Sequence, residues 1–211
     1  MTCSDSCSDP NHTHDPHPDS GVDNGYLYGV VDLEKVTALN SDESERASSV
    51  IKTWEERNDV AVSLHSDADE QLLLRVPFTA AVKLKSVLIK GGTAEKCPRT
   101  LHLYANQSYD FADIENEPTP TQTIELVGND STGECIEYPV KIAKFSSCSH
   151  ITLFFADNYG DDVTQLFFAG FKGSWTPLKA DPVITTYEAF ANPADHNKIA
   201  GTERGMSNLG S

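Results

Sequence analysis

A succession of strand-length segments, each cut off by turn-forming residues, constrains this chain more than any other feature. LLLRV (72–76), AAVKLKSVLIK (80–90), RTLHLYA (99–105), QTIELV (122–127), VKIAKF (140–145), SHITLFFA (149–156) and TQLFFAGFKGSW (164–175) are either continuously apolar or alternate with period two, and VITTYEAF (183–190) is a further candidate. Period two places successive side chains on opposite faces of a sheet, so Val82 and Leu84 are expected to face a core while Lys83 and Lys85 face water. The run Val87-Leu88-Ile89 breaks that alternation, which points to a bulge or to a stretch covered on both faces. Gly, Asn, Asp and Pro punctuate the segments and little helical pattern lies between them. That excludes repeated βαβ units and predicts an all-β protein with two packed antiparallel sheets. Ile151, Leu153 and Phe155 share one face, as Leu166 and Phe168 are expected to, and ADNYGDD (156–162) suits a hairpin joining these two strands as the centre of the sandwich.

The ends read differently. Residues 1–24 are rich in Cys, His, Asp, Ser and Pro and hold almost nothing to bury, so a disordered leader is expected. Leu33, Val36 and Leu39 recur at near-helical intervals before Asn40 and Ser41, predicting one short N-terminal helix. The folded domain is assigned to 25–192, and residues 193–211 to a flexible C-terminal tail.

Charge excludes several classes of partner. Lys plus Arg number 16 against 32 Asp plus Glu, a formal net charge of −16. Such a surface repels phosphate, and no Lys/Arg cluster acts locally against it, so neither nucleic acid nor an anionic membrane is an expected partner. A basic face of a larger protein is the better match. No run reaches the roughly 20 apolar residues of a spanning helix, and the first residues, MTCSDSCSDP, carry no secretory signal pattern. The five cysteines (Cys3, Cys7, Cys97, Cys135 and Cys148) lack framework spacing, so reduced thiols and a cytoplasmic and nuclear location are expected.

Three groups of residues are candidates for chemistry. Asp67, Asp69 and Glu70, in SDADEQLLLRVPF (66–78), have the right side chains for a calcium site or a carboxylate pair, but the stretch lacks a glycine-bearing calcium loop. Acids before an apolar strand also keep its entry solvated, and that is the favoured reading. Cys3, Cys7, His12, His14 and His17 are suitable zinc, copper or nickel ligands, yet their spacing is not that of a zinc finger and no apolar residues surround them. His65, His102 and His150 are expected at strand edges or surfaces rather than as metal ligands, and Trp54 and Trp175 in core or loop-anchoring roles. No nucleophile elbow, Cys-x-x-Cys or phosphate-binding glycine loop is present. The expectation is therefore a protein that is not an enzyme, with no catalytic, cofactor or metal residues nominated.

TWEERND (53–59), SDADEQLLLRVPFTAAVKLKSVLI (66–89), RTLHLYAN (99–106) and YEAFANPADH (187–196) together resemble the PITH domain, the proteasome-interacting domain of thioredoxin-like proteins. The likeness runs from about Tyr26 to His196, in the family's order. With no thioredoxin domain, the chain is similar to the stand-alone members. The resemblance implies a jelly-roll β-sandwich of the galactose-binding-like kind. It also implies a non-catalytic module that associates with the regulatory particle of the 26S proteasome; a monomer is expected. Binding of a carbohydrate or peptide by the jelly-roll, or metal handling by the leader, are the alternatives it leaves open. A terminal segment such as ANPADH can be captured in a partner's groove.

Overall fold

The computed structural model describes residues 25–128 and 133–177. Its strands are β1 (Thr37–Leu39), β2 (Leu64–His65), β3 (Leu72–Gly91), β4 (Pro98–Ala105), β5 (Gln122–Glu125), β6 (Ile136–Pro139), β7 (Cys148–Asn158) and β8 (Gln165–Thr176), with one short helix, α1 (Phe111–Ile114). Every ladder between them is antiparallel. The long strand β3 belongs to two sheets. Its first part pairs with β7 through Leu72–Pro77 and with β1 through Leu73–Arg75. Its second part pairs with β8 through Ala81–Gly91 and with β6 through Ser86–Ile89. The change of partner falls just after Pro77, which has no N–H to give the ladder; the β7 register is interrupted between Pro77 and Val82. One sheet thus runs β5-β4-β7-β3-β1 and the other β6-β3-β8-β2, an antiparallel β-sandwich of the jelly-roll kind.

Between the sheets lies one contiguous core. Leu72, Leu74 and Val76 from β3, Leu101 and Leu103 from β4, and Ile151, Leu153 and Phe155 from β7 meet Val82, Leu84, Val87, Ile89 and Phe171. The inward positions of β3 switch from even to odd numbers between Leu84 and Val87. The physical reason is the register shift against β8 between Leu84 and Ser86, where one extra residue reverses the pleat. Residues 86–90 are buried on both faces, because the segment after Lys52 folds over the outside of this sheet. There Lys90 Nζ donates to the Asn58 carbonyl at 2.8 Å, and burial lowers the Lys90 pKa. Lys52, itself buried, donates to the carbonyls of Asp59 and Val62, each at 3.0 Å.

Several local expectations are corrected. The N-terminal helix is absent from its expected place: two single-turn 3-10 helices, Tyr28–Val30 and Leu33–Lys35, lead directly into β1. Val36 is buried but Leu39 is 38% exposed, so the three-residue spacing does not make a continuous apolar stripe, and pairing with β3 takes over. Asn40, at φ 56°, ends the strand in the left-handed conformation that Asn tolerates. VKIAKF forms the 3-10 turn Ile142–Lys144, while the strand lies just before it, as β6. β7 and β8 do not pair as a hairpin; they belong to different sheets. Leu166 lies opposite Gly91 and Phe168 opposite Lys90, so Phe167 is the extra residue and Leu166 and Phe168 do not share a face. The leader, the VITTYEAF strand and the C-terminal tail lie outside the described residues.

Candidate functional site

The outward face of the β4-β7-β3 sheet carries a second, smaller apolar cluster of Leu73, Tyr104 and Phe154, with Leu73 directly opposite Phe154. The connection from Asn106 to Thr121 folds over it. Asp110 caps α1 by accepting from Asp113 N at 2.9 Å, and Asp113 returns the bond, accepting from Asp110 N at 3.1 Å. The helix ends at Ile114, and the turn that follows it closes at Glu117, whose φ is 49°. This short turn sets Phe111 edge-on to Phe154, with ring centres 6.3 Å apart, and Tyr109 edge-on to Tyr104 at 4.9 Å. The far end of the connection is pinned where Thr121 N donates to the Leu103 carbonyl at 2.9 Å.

Facing α1 is a loop wall built around Asn40. Its Nδ2 donates to Asp69 Oδ1 and to the Gln71 carbonyl, each at 2.6 Å, and its Oδ1 accepts from Ala68 N at 2.9 Å. Asp69 Oδ1 also accepts from Gln71 N at 3.0 Å. Between this wall and α1 lies an open groove of about 680 Å³. Phe111, Ile114 and Phe154 form its apolar floor, Asn40, Asp69 and Gln71 one side, and Glu115 and Glu117 the other. The charged groups that line it are all acidic.

The acids that prompted a cation-site reading are therefore parts of a loop wall. Asp67 and Asp69 are exposed, and Asp69 spends one oxygen on the turn itself. Glu70 contributes through its carbonyl, which accepts from Thr164 Oγ1 at 2.5 Å. Among the described residues, no group of three or more His, Cys, Asp or Glu side chains is placed to hold a metal ion. The Cys3, Cys7, His12, His14 and His17 cluster lies outside the described residues.

The other candidates have local roles. His65 Nδ1 lies 2.7 Å from Glu45 Oε1, and His102 stands edge-on to Phe154 at 5.9 Å. His150 lies between two hydroxyls, with Ser108 Oγ 3.0 Å from Nε2 and Ser149 Oγ 3.2 Å from Nδ1. Burial and the nearby Arg75 lower its pKa. A serine nucleophile needs a base whose other nitrogen faces a group that stabilises the imidazolium, and the hydroxyl of Ser149 is a poor substitute for a carboxylate. Trp54 anchors its loop as expected: Arg57 Cζ lies 4.3 Å and Lys172 Nζ 4.7 Å from its ring centre, and Tyr26 meets it edge-on at 5.7 Å. Trp175 departs from expectation, being 45% exposed at the end of β8. The TWEERND segment is thus occupied by contacts within the domain, whereas the groove is open.

The PITH domain family matches residues 17–191. The chain belongs to that family. It is 42% identical over 177 residues to PITH domain-containing protein 1 of Mus musculus, an alignment covering 82% of each chain. It is 34% identical over 194 residues to the protein of the same name from Dictyostelium discoideum, covering 90% of this PITH chain and 92% of the relative. Among solved structures, a fucose-binding module of Streptococcus pneumoniae is similar at a TM-score of 0.46, with 9% identity, over 66% of this chain and 93% of that one. A pair of CBM32 domains of Clostridium perfringens ZmpB reaches 0.48, with 13% identity, over 72% of this PITH chain and 37% of that structure.

The groove was not foreseen from the sequence, because residues 106–121 are rich in Asn, Asp, Glu and Pro and hold no strand-length apolar run. One local signal was available. Asp110 precedes Asp113 by three residues around Phe111, the pattern of a reciprocal helix cap over an apolar residue.

Proposed function

We propose that this PITH chain is a non-catalytic interaction module that docks on a larger protein assembly, and that the assembly is the regulatory particle of the 26S proteasome. The observation that supports this reading is the groove: an apolar floor of Phe111, Ile114 and Phe154, open to solvent and flanked by acids. Exposed apolar surface rimmed by one sign of charge suits recognition of a complementary protein face better than bond-making chemistry. The family resemblance supplies the identity of the assembly. On this reading the protein acts as a monomer, without cofactor, in cytoplasm and nucleus.

Affinity purification of the tagged chain from its native extract, at low and at moderate salt with mass spectrometry of the eluate, tests the proposal. Regulatory-particle subunits in stoichiometric amounts, reduced at the higher salt, are the expected result, since exposed ion pairs are screened. Their absence at both salts refutes it. A chain ending at Phe190 is expected to bind less well while keeping its thermal transition; unchanged binding removes the tail from the interface.

A further inference from the structure

We infer that the groove between α1 and the Asn40 loop receives a basic peptide segment, in which one bulky aliphatic or aromatic side chain is flanked by Lys or Arg. The inference rests on the reading of this chain as a protein-interaction module and specifies the chemistry of what it binds.

Glu115 and Glu117 are both exposed, and among the described residues their carboxylates make no hydrogen bond or ion pair. Asp69, on the opposite side, has Oδ1 occupied by Asn40 and Gln71 N. Any occupant of the floor therefore sits among three negative charges, two of them on uncommitted side chains. An anionic segment pays repulsion there, and a neutral apolar one leaves the carboxylates partly desolvated without partners. A cationic flank satisfies them. The floor sets the second requirement. Phe111 and Ile114 are only partly buried against the Leu73, Tyr104 and Phe154 cluster, so an inserted apolar side chain completes a packing surface that the fold leaves half made. At about 680 Å³ the groove is within the common range of ligand sites, enough for an anchor side chain and a few residues of backbone. Gln71 adds an amide-bearing side chain at the wall, suited to a peptide main chain, while the Asn40 amide is already committed to Asp69, the Gln71 carbonyl and Ala68 N.

The test uses the full chain and a short fluorescein-labelled synthetic peptide with a central Leu-Phe pair between Lys/Arg flanks. One control peptide has Ser-Ser at the centre and a second has Glu in place of the basic residues. The double variant Glu115→Gln/Glu117→Gln neutralises the groove rim. The double variant Glu34→Gln/Glu55→Gln removes two exposed acids that do not line the groove, giving the same overall charge. All proteins are checked for an unchanged urea transition. The expected result is binding of the Leu-Phe peptide alone, weakened roughly tenfold by the rim variant and less than about twofold by the distant one. Equal weakening by the two double variants, or equal affinity for the Ser-Ser peptide, overturns the inference in favour of diffuse attraction to an acidic surface. Self-association that the rim variant abolishes and the peptide cannot displace also overturns it, by making a second copy the occupant.

Purified regulatory particle separates this inference from the reading beneath it. Capture by the parent chain and loss with the rim variant supports both. Equal capture of the particle by parent and rim variant leaves the proteasome reading standing and overturns the groove as the docking point. Failure of the parent chain to capture it, with peptide selectivity intact, refutes the proteasome reading and supports the groove as a peptide site.

Discussion

Asn40 offers a sharp test of how the loop wall of the groove is held. Its backbone is left-handed at φ 56°, and its amide ties the Ala68–Gln71 loop to the end of β1. Asn40→Ala removes three short side-chain hydrogen bonds, together with a long one of 3.5 Å to the Asp69 carbonyl that adds little, and leaves a β-carbon in the left-handed region. The bonds are mostly exposed, so the low end of the usual range applies, about 0.5 kcal/mol each or about 1.5 kcal/mol together. The left-handed alanine costs about 1 kcal/mol more than glycine there, giving about 2.5 kcal/mol for Asn40→Ala against about 1.5 kcal/mol for Asn40→Gly. Asn40→Asp keeps the backbone tolerance but sets a carboxylate where an amide donates to Asp69 at 2.6 Å, so its loss is larger at neutral pH than below the carboxylate range. Urea unfolding followed by tryptophan fluorescence gives all three values, provided the slope m is unchanged. Glycine and alanine variants of equal stability would show that the backbone conformation contributes nothing. Both within about 0.5 kcal/mol of the parent would refute the whole account of the loop wall.

Other consequences are tested more briefly. Burial opposes ionisation of Asp157, but hydrogen bonds from Arg99 and from Thr100, whose N lies 2.8 Å away, outweigh it and hold the pKa below its ordinary value of 3.8. A depressed carboxylate contributes stability above its unfolded pKa and loses it as pH falls through the folded one, so the parent chain should lose more stability than Asp157→Asn below about pH 4. Burial raises the Cys148 thiol pKa to about 11, so at pH 8 it should resist alkylation in the native protein and react fully in urea; peptide mass spectrometry reads both. Trp54→Ala removes two cation–π contacts and one aromatic edge and should cost about 2 kcal/mol in urea unfolding; a loss below about 0.5 kcal/mol would make the stacking incidental. A β-carbon on Gly173 would lie 2.2 Å from the Lys83 carbonyl oxygen, so Gly173→Ala should lower the thermal midpoint well beyond Gly29→Ala, where nothing lies within 4 Å.

How much of this was legible in the chain differs from element to element. The central part of β3 could be read from its period-two burial and β7 and β8 from continuous apolar runs, because both are properties of neighbouring residues and survive in the sequence, although the face assignment within β8 did not. The break in alternation at Val87-Leu88-Ile89 marked both the bulge and the double coverage found there. The residues 33–39 misled because spacing of three is shared by a helix and by an irregular chain, and only pairing with β3 decided between them.

The sequence by itself determined an all-β antiparallel chain, a strongly acidic surface and membership of the PITH family. These follow from local alternation, from composition and from several blocks of residues in order. Only the tertiary structure decided that β7 and β8 part into different sheets. It alone gathers Asn40, the 69–71 turn, α1 and Phe154 around one groove. Strand partners and loop juxtapositions depend on contacts far apart in the chain, whose energies no local window contains.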